Sequence, residues 1–204
     1  MAKQGDEIVV VGLCGSLGHS SVTRRALQVA LLGARGAGAR TELIDLREWQ
    51  LPFCGSEFTS VESADVARLQ SVVQGAQGLI WATPEYHGSF SGVLKNALDL
   101  LSIEDFQGKM VGLLGVAAGS IGAINALSHL RTVGRQLHAW VLPQQVSVAS
   151  SYGAFNEDGS LKSADVDKRL REMGRDVARF AFLHAKADDA FLQMWESARS
   201  GVES

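Results

Sequence analysis

Five short apolar runs alternate with five longer stretches of helical periodicity along this chain, and that alternation admits few folds. The first run, Ile8-Val9-Val10-Val11, is continuous and β-branched. Both faces of such a strand are buried, as in a parallel sheet. The other strands are read at Leu43–Leu46, Gly78–Ala82, Met110–Val116 and Ala139–Leu142. Thr83-Pro84 ends the third and Pro143 the fifth, because proline donates nothing to a ladder. Helices are read at Val22–Gly33, Val61–Gln74, Phe90–Leu101, Ile121–Leu137 and Ser163 to about His184. Strands alternating with helices give a parallel sheet with helices on both faces. The 204 residues show no break in composition, so they read as a single α/β domain, residues 1–204. The expectation is a three-layer α/β/α fold with a five-stranded parallel sheet in the order 2-1-3-4-5. Residues from about 185 to 204 are read as a helical extension or tail.

Composition excludes several partners. A formal charge of −3 offers no basic footprint for nucleic acid. It is also not the acidic excess with which an electron carrier finds cationic partners. No apolar run approaches the ~20 residues that span a bilayer. The polar start Met1–Glu7 resembles no signal sequence, and Cys14 and Cys54 form no CxxC pair. A cytoplasmic protein with two free thiols is expected.

In a doubly wound sheet, ligands bind beyond the carboxyl ends of the strands, where the strand order reverses. Three loops lie there. Gly15-Ser16-Leu17-Gly18-His19-Ser20-Ser21-Val22-Thr23 leaves a buried strand and opens a helix. Its small residues, its hydroxyls and the helix N-terminus are the chemistry of a phosphate site. It matches neither GxxxxGK[ST] nor GxGxxG. Read alone, it fits equally well a tight turn capped by serine. Thr83-Pro84-Glu85-Tyr86-His87-Gly88-Ser89 brings polar and aromatic groups to where a planar ring could lie. The neighbouring Gly88-Ser89-Phe90-Ser91-Gly92 is no nucleophile elbow, since Phe90 holds the central position. Gly115-Val116-Ala117-Ala118-Gly119-Ser120-Ile121-Gly122 leaves room for a flat ligand, or serves close packing of strand and helix.

Together these loops resemble the NADPH-dependent FMN reductase family, which includes NAD(P)H:quinone, azo-dye and chromate reductases. The resemblance spans roughly residues 8–150. Pro84-Glu85-Tyr86-His87-Gly88-Ser89-Phe90-Ser91-Gly92-Val93-Leu94-Lys95-Asn96-Ala97-Leu98-Asp99 is similar to P-E-Y-N-x-S-x-P-G-x-L-K-N-A-I-D. The first loop is similar to G-S-x-R-x-x-S-x-N at Gly15, Ser16 and Ser21. Gly18 stands where the family has Arg, Thr23 and His87 where it has Asn, and Ser91 where it has Pro. His19 and Arg24 are the candidates to replace the missing arginine charge.

The resemblance implies a flavodoxin-like fold that binds FMN and takes NADPH or NADH as co-substrate. It implies Ser16, Gly18, His19, Ser21, Val22 and Thr23 around the phosphate. Pro84, Glu85, Tyr86, His87, Ala118, Gly119 and Ser120 would flank the ring. The implied reaction carries electrons from NAD(P)H through FMN to a quinone, flavin, azo compound or metal-ion acceptor. The flavin supplies that chemistry, so no acid–base residue is required, and His87 is a candidate for the acceptor pocket. The alternative is a flavin-binding electron-carrier module that does not turn over NAD(P)H. A homodimer or homotetramer is expected, with Phe90, Val93, Leu94, Ala97, Leu98 and Leu101 offering more apolar surface than one sheet covers. His129, His138 and His184 are read as packing or surface residues. No cluster has the spacing of a metal site.

Overall fold

A computed structural model describes residues 7–55 and 63–200. Strands β1 (Val9–Cys14), β2 (Arg40–Asp45), β3 (Gly78–Tyr86), β5 (Met110–Val116) and β6 (Trp140–Val148) form a parallel sheet. Their order is β2-β1-β3-β5-β6, which is the doubly wound order expected for five strands. One small strand was not anticipated. β4 (Ser89–Phe90) folds back antiparallel on the end of β3, pairing Glu85 with Phe90 and Tyr86 with Ser89. The six strands are linked by α1 (Val22–Gly36), α2 (Ala64–Gln74), α3 (Gly92–Asp99), α4 (Ile103–Phe106) and α5 (Ile124–Gln136). Helix α6 (Ala164–Ser200) follows and carries the predicted final helix on to Ser200. Val61, read as the start of the second helix, lies outside the described residues.

The period-2 alternation of the strands sorts the core into two layers. Val10 and Cys14 of β1 and Ile80 and Ala82 of β3 face α1 and α6. Val9, Val11 and Leu13 of β1 and Leu79 and Trp81 of β3 face α2 to α5. The continuous apolar runs follow from this, because each central strand is covered on both sides. The two helices of the first layer touch backbone to backbone. A Cβ on Gly33 would overlap the carbonyl of Arg171, and one on Gly174 would overlap that of Ala30.

Both proline stops were too early. β3 runs through Pro84 because Thr83 and Pro84 still pair with Gly115 and Val116 of β5. β6 passes Pro143 on the sheet edge, where a missing N–H leaves no partner unsatisfied. The register shifts there, between Val111 and Leu113 of β5. Arg131 braces that irregular stretch, donating to the carbonyls of Leu142 (2.9 Å) and Pro143 (3.2 Å). The apolar surface expected around α3 is mostly core: Leu94, Ala97, Leu98 and Leu101 are buried, and only Phe90 and Val93 are half-exposed. Phe90 sits in β4, not in the helix. Among the described residues, no helix is long and apolar enough to cross a membrane.

Candidate functional site

β1, β3 and β5 deliver the three loops to one edge of the sheet, and hydrogen bonds join them. The Gly15 amide donates to the Ala82 carbonyl of β3 at 2.8 Å. The Ser91 hydroxyl donates to the Gly15 carbonyl at 2.6 Å. A side chain at Gly15 would meet Leu94 at 2.7 Å and Ser91 at 2.8 Å, so this crossing requires glycine. Phe90 then packs on Ala117, Ala123 and Ala126, tying the second loop to the third.

The first loop presents donors that the described residues leave unused. Ser21 caps α1, its Oγ accepting from the Arg24 amide at 3.1 Å. The amides of Val22 and Thr23 fall in the first turn, where a helix has no internal acceptor. Ser16 and Thr23 are 6% and 2% exposed, and their hydroxyls bond to no other described residue. Leu17 to Ser20 arch over them, exposed. The helix dipole adds positive potential at the same point. Arg24 does not replace the missing arginine. Its guanidinium turns behind the loop, to the Asp45 carboxylate at 2.7 Å and the His19 carbonyl. Arg47 approaches the same Asp45 at 3.4 Å and Glu48 at 3.1 Å, so two carboxylates offset the two guanidiniums behind the loop. His19 lies on the exposed arch. Beneath the loop, burial pushes the Cys14 thiol above its ordinary value, with the Ser16 amide pulling the other way.

The second loop is a two-residue hairpin between β3 and β4. His87 and Gly88 have φ of +50° and +77°, as both central positions of a type I′ turn require. Histidine, like asparagine, tolerates this left-handed region, which accounts for the family asparagine at a position this chain fills with His87. Ser91 also has a clear role here. It caps α3, accepting from the Leu94 amide at 3.2 Å while donating to Gly15, and proline could do neither. The carboxylate of Glu85 turns away from the open edge. Its Oε2 accepts from the Ala126 amide at 3.0 Å and so caps α5, where Ala123 has no capping side chain. Tyr86 and His87 stay exposed. His129, read as a surface residue, contacts Ser89 at 3.0 Å through Nδ1.

In the third loop, close packing and open space divide between neighbours. A Cβ on Gly115 would press on Ala123 at 2.6 Å, whereas one on Gly119 would meet nothing. Ala118, Gly119 and Ser120 are exposed. The loop is anchored from β6 and beyond, the Ser150 and Ser151 amides donating to the carbonyls of Gly119 and Ala117, both at 3.1 Å. Sequence reasoning missed a fourth wall. The segment after β2, Leu46 to Phe53, borders a cleft of about 530 Å³ shared with Leu17, Tyr86 and Gly92. Trp49 and Phe53, close together at a strand's carboxyl end, were the available signal.

The donor set suits a phosphate monoester. Free amides, two unspent hydroxyls and a helix N-terminus converge at the reversal point of the sheet. The exposed backbone of the hairpin and of Ala118–Ser120 is accessible to a flat ring attached to it.

Comparison with known proteins agrees. The chain is 35% identical over 168 residues to the FMN-dependent NADPH-azoreductase of Staphylococcus aureus (strain USA300), covering 80% of this chain and 87% of that one. The fold is similar to that of a flavoenzyme NAD(P)H:(acceptor) oxidoreductase from Paracoccus denitrificans, with TM-score 0.72 and 22% identity over 87% of this chain and 98% of that one. It is also similar to an apo NADH:FMN oxidoreductase, with TM-score 0.70 and 21% identity over 84% and 88% of the two chains. Residues 8–153 match the family model of the NADPH-dependent FMN reductases, and the chain belongs to that family.

Proposed function

We propose that the chain works as one FMN-binding domain that moves electrons from NAD(P)H to a small-molecule acceptor. The observation that carries this reading is the set of unspent donors at the first loop. Ser16, Ser21 and Thr23, with the Val22 amide and the open backbone at Gly18 and His19, hold the phosphate. Pro84 to His87 and Ala118 to Ser120 flank the ring by their backbone. Glu85 acts indirectly, by fixing the start of α5. When bound, FMN supplies the two-electron chemistry, accepting a hydride from NAD(P)H and reducing the acceptor. The protein contributes orientation and shelter from water. His87, exposed at the hairpin turn, contributes to the acceptor pocket.

Both substrates use the same open face in turn, since no second nucleotide fingerprint occurs in the sequence. The protein works as a homodimer or homotetramer in the cytoplasm. Exposed Ile121 and Ile124, beside the third loop, provide apolar surface for that contact. Steady-state oxidation of NADPH and NADH by FMN-loaded protein, across a panel of acceptors, tests the reading. Parallel double-reciprocal plots are expected. Intersecting plots would mean that both substrates bind together. Flavin binding without nucleotide oxidation would reduce the protein to a carrier.

A further inference from the structure

We infer that Arg24 and Asp45 are positioning residues for the phosphate loop, and that this chain, with Gly18 where the family has arginine, relies on them to hold the loop in the shape that receives the FMN phosphate. The inference rests on the phosphate site proposed above, and it gives the pair no contact with the cofactor. The arch from Leu17 to Ser20 has little packing of its own. All four residues are exposed, and a Cβ at Gly18 would meet only the Ser16 hydroxyl, at 3.8 Å. Its brace is Arg24. One arm of the guanidinium, Nη2, donates to the His19 carbonyl, and the other, Nη1, donates to the Asp45 carboxylate at 2.7 Å. The planar fork thus ties the arch to the end of β2.

The far end of that tie is fixed. Asp45 is 5% exposed and sits opposite Cys14 of β1 in the parallel ladder. Its Oδ1 accepts from the Arg47 amide at 3.2 Å, and the Arg47 guanidinium approaches Oδ2 at 3.4 Å. The carboxylate is therefore also oriented from the side away from Arg24. Arg24 itself stands against the local field. It is the third residue of α1, where a cation opposes the helix dipole, and no acidic residue of the first turn offsets it. Its bonds to Asp45 and His19 account for a cation at that position. Without them the His19 peptide is free to turn its oxygen over the site, where a carbonyl repels an anion.

Charge and shape predict opposite signs at Asp45. Asp45 is an anion behind an anion site, so on charge alone Asp45→Asn should tighten FMN binding. Positioning predicts the reverse, because Arg24 loses the acceptor that aims its fork. Lysine separates the two effects in a second way. Arg24→Lys keeps the charge, but an ammonium on a flexible stem does not reproduce the two-armed geometry.

Asp45→Asn, Arg24→Gln and Arg24→Lys test the inference, each titrated as apoprotein with FMN and with riboflavin, which lacks the phosphate. The titrations need no turnover, so they stand whether or not the chain oxidises NAD(P)H. Wild-type protein should prefer FMN. Equal binding of the two flavins by wild type would sink the phosphate site itself, and this inference with it. In all three variants the Kd for FMN is expected to rise roughly tenfold, a factor corresponding to about 1.4 kcal/mol. The Kd for riboflavin should hold steady, which also shows that each variant is folded. The double variant Asp45→Asn with Arg24→Gln should lose no more than either single one, because the pair acts as a unit. FMN affinity that is unchanged in the variants, or raised in Asp45→Asn, would overturn the inference. Wild-type affinity in Arg24→Lys would also overturn it, since charge and not the fork would then be what matters. A parallel loss of FMN and riboflavin would overturn it as well, leaving the pair a general support of the fold.

Discussion

Replacing Ser21 probes the flavin site and the helix behind it at once, and two substitutions separate the effects. The Ser21 Oγ accepts from the Arg24 amide at 3.1 Å and its hydroxyl also meets the Cys14 thiol beneath the loop; in the proposed complex its proton turns to the phosphate. Ser21→Ala removes both interactions. Loss of the cap should cost about 1 kcal/mol of stability. Loss of one hydrogen bond to a charged group should cost a further ~1.5–3 kcal/mol of binding, a fall in FMN affinity of roughly 10- to 100-fold. Glycine is a good N-cap without a hydroxyl, and its capping penalty is only a few tenths of a kcal/mol. Ser21→Gly should thus retain most of the stability while binding FMN as weakly as Ser21→Ala. Affinity is read by flavin fluorescence titration of the apoprotein. Stability is read by urea unfolding without flavin, because bound ligand would itself stabilise the fold. If Ser21→Gly binds FMN as tightly as wild type, the hydroxyl does not touch the phosphate, and any defect in Ser21→Ala comes from the loosened helix.

Other outcomes follow from single positions. His87→Val should destabilise by about 1–2 kcal/mol, since a β-branched residue is strained at φ +50°, whereas His87→Asn should be neutral or stabilising in thermal melts. His87→Asn should also alter acceptor preference, with FMN retained. Gly115→Ala sets a methyl 2.6 Å from Ala123, and overpacking should cost about 1–3 kcal/mol in urea unfolding. Glu85→Gln keeps an acceptor for the Ala126 amide but loses the charge at the α5 N-terminus, so a loss of about 0.3–1 kcal/mol is expected, with FMN affinity unchanged. The Cys14 thiol has its pKa raised above 9.0 by burial, so its contribution is complete below pH 9.0 and declines as pH rises through the folded value. Stability measured from pH 8 to 10.5 should fall less steeply in Cys14→Ala, and native-state alkylation at pH 8 should label Cys54 first.

Periodicity and composition alone determined the layers of this protein. Short apolar runs alternating with helical stretches read as parallel strands covered on both faces, and in a doubly wound sheet ligands bind at the carboxyl ends of those strands. The small, hydroxyl-rich loop before Val22 was equally legible, because a phosphate needs donors packed closely at a helix start. What each side chain does at that edge was decided only in three dimensions. Glu85 belongs to the most specific motif, yet it caps α5, forty-one positions further along. Arg24, next to the phosphate loop in sequence, is captured from behind by Asp45 at the end of β2. Ser91 departs from the family pattern, and its purpose becomes visible only when Gly15 is placed beside it. The strands ran past Pro84 and Pro143 because neighbouring strands supplied pairing that local propensity does not record. The aromatic cleft was hidden for the same reason. Leu17, Trp49, Tyr86 and Gly92 are distant in sequence, and only the sheet order, a long-range property, brings their loops to a common edge.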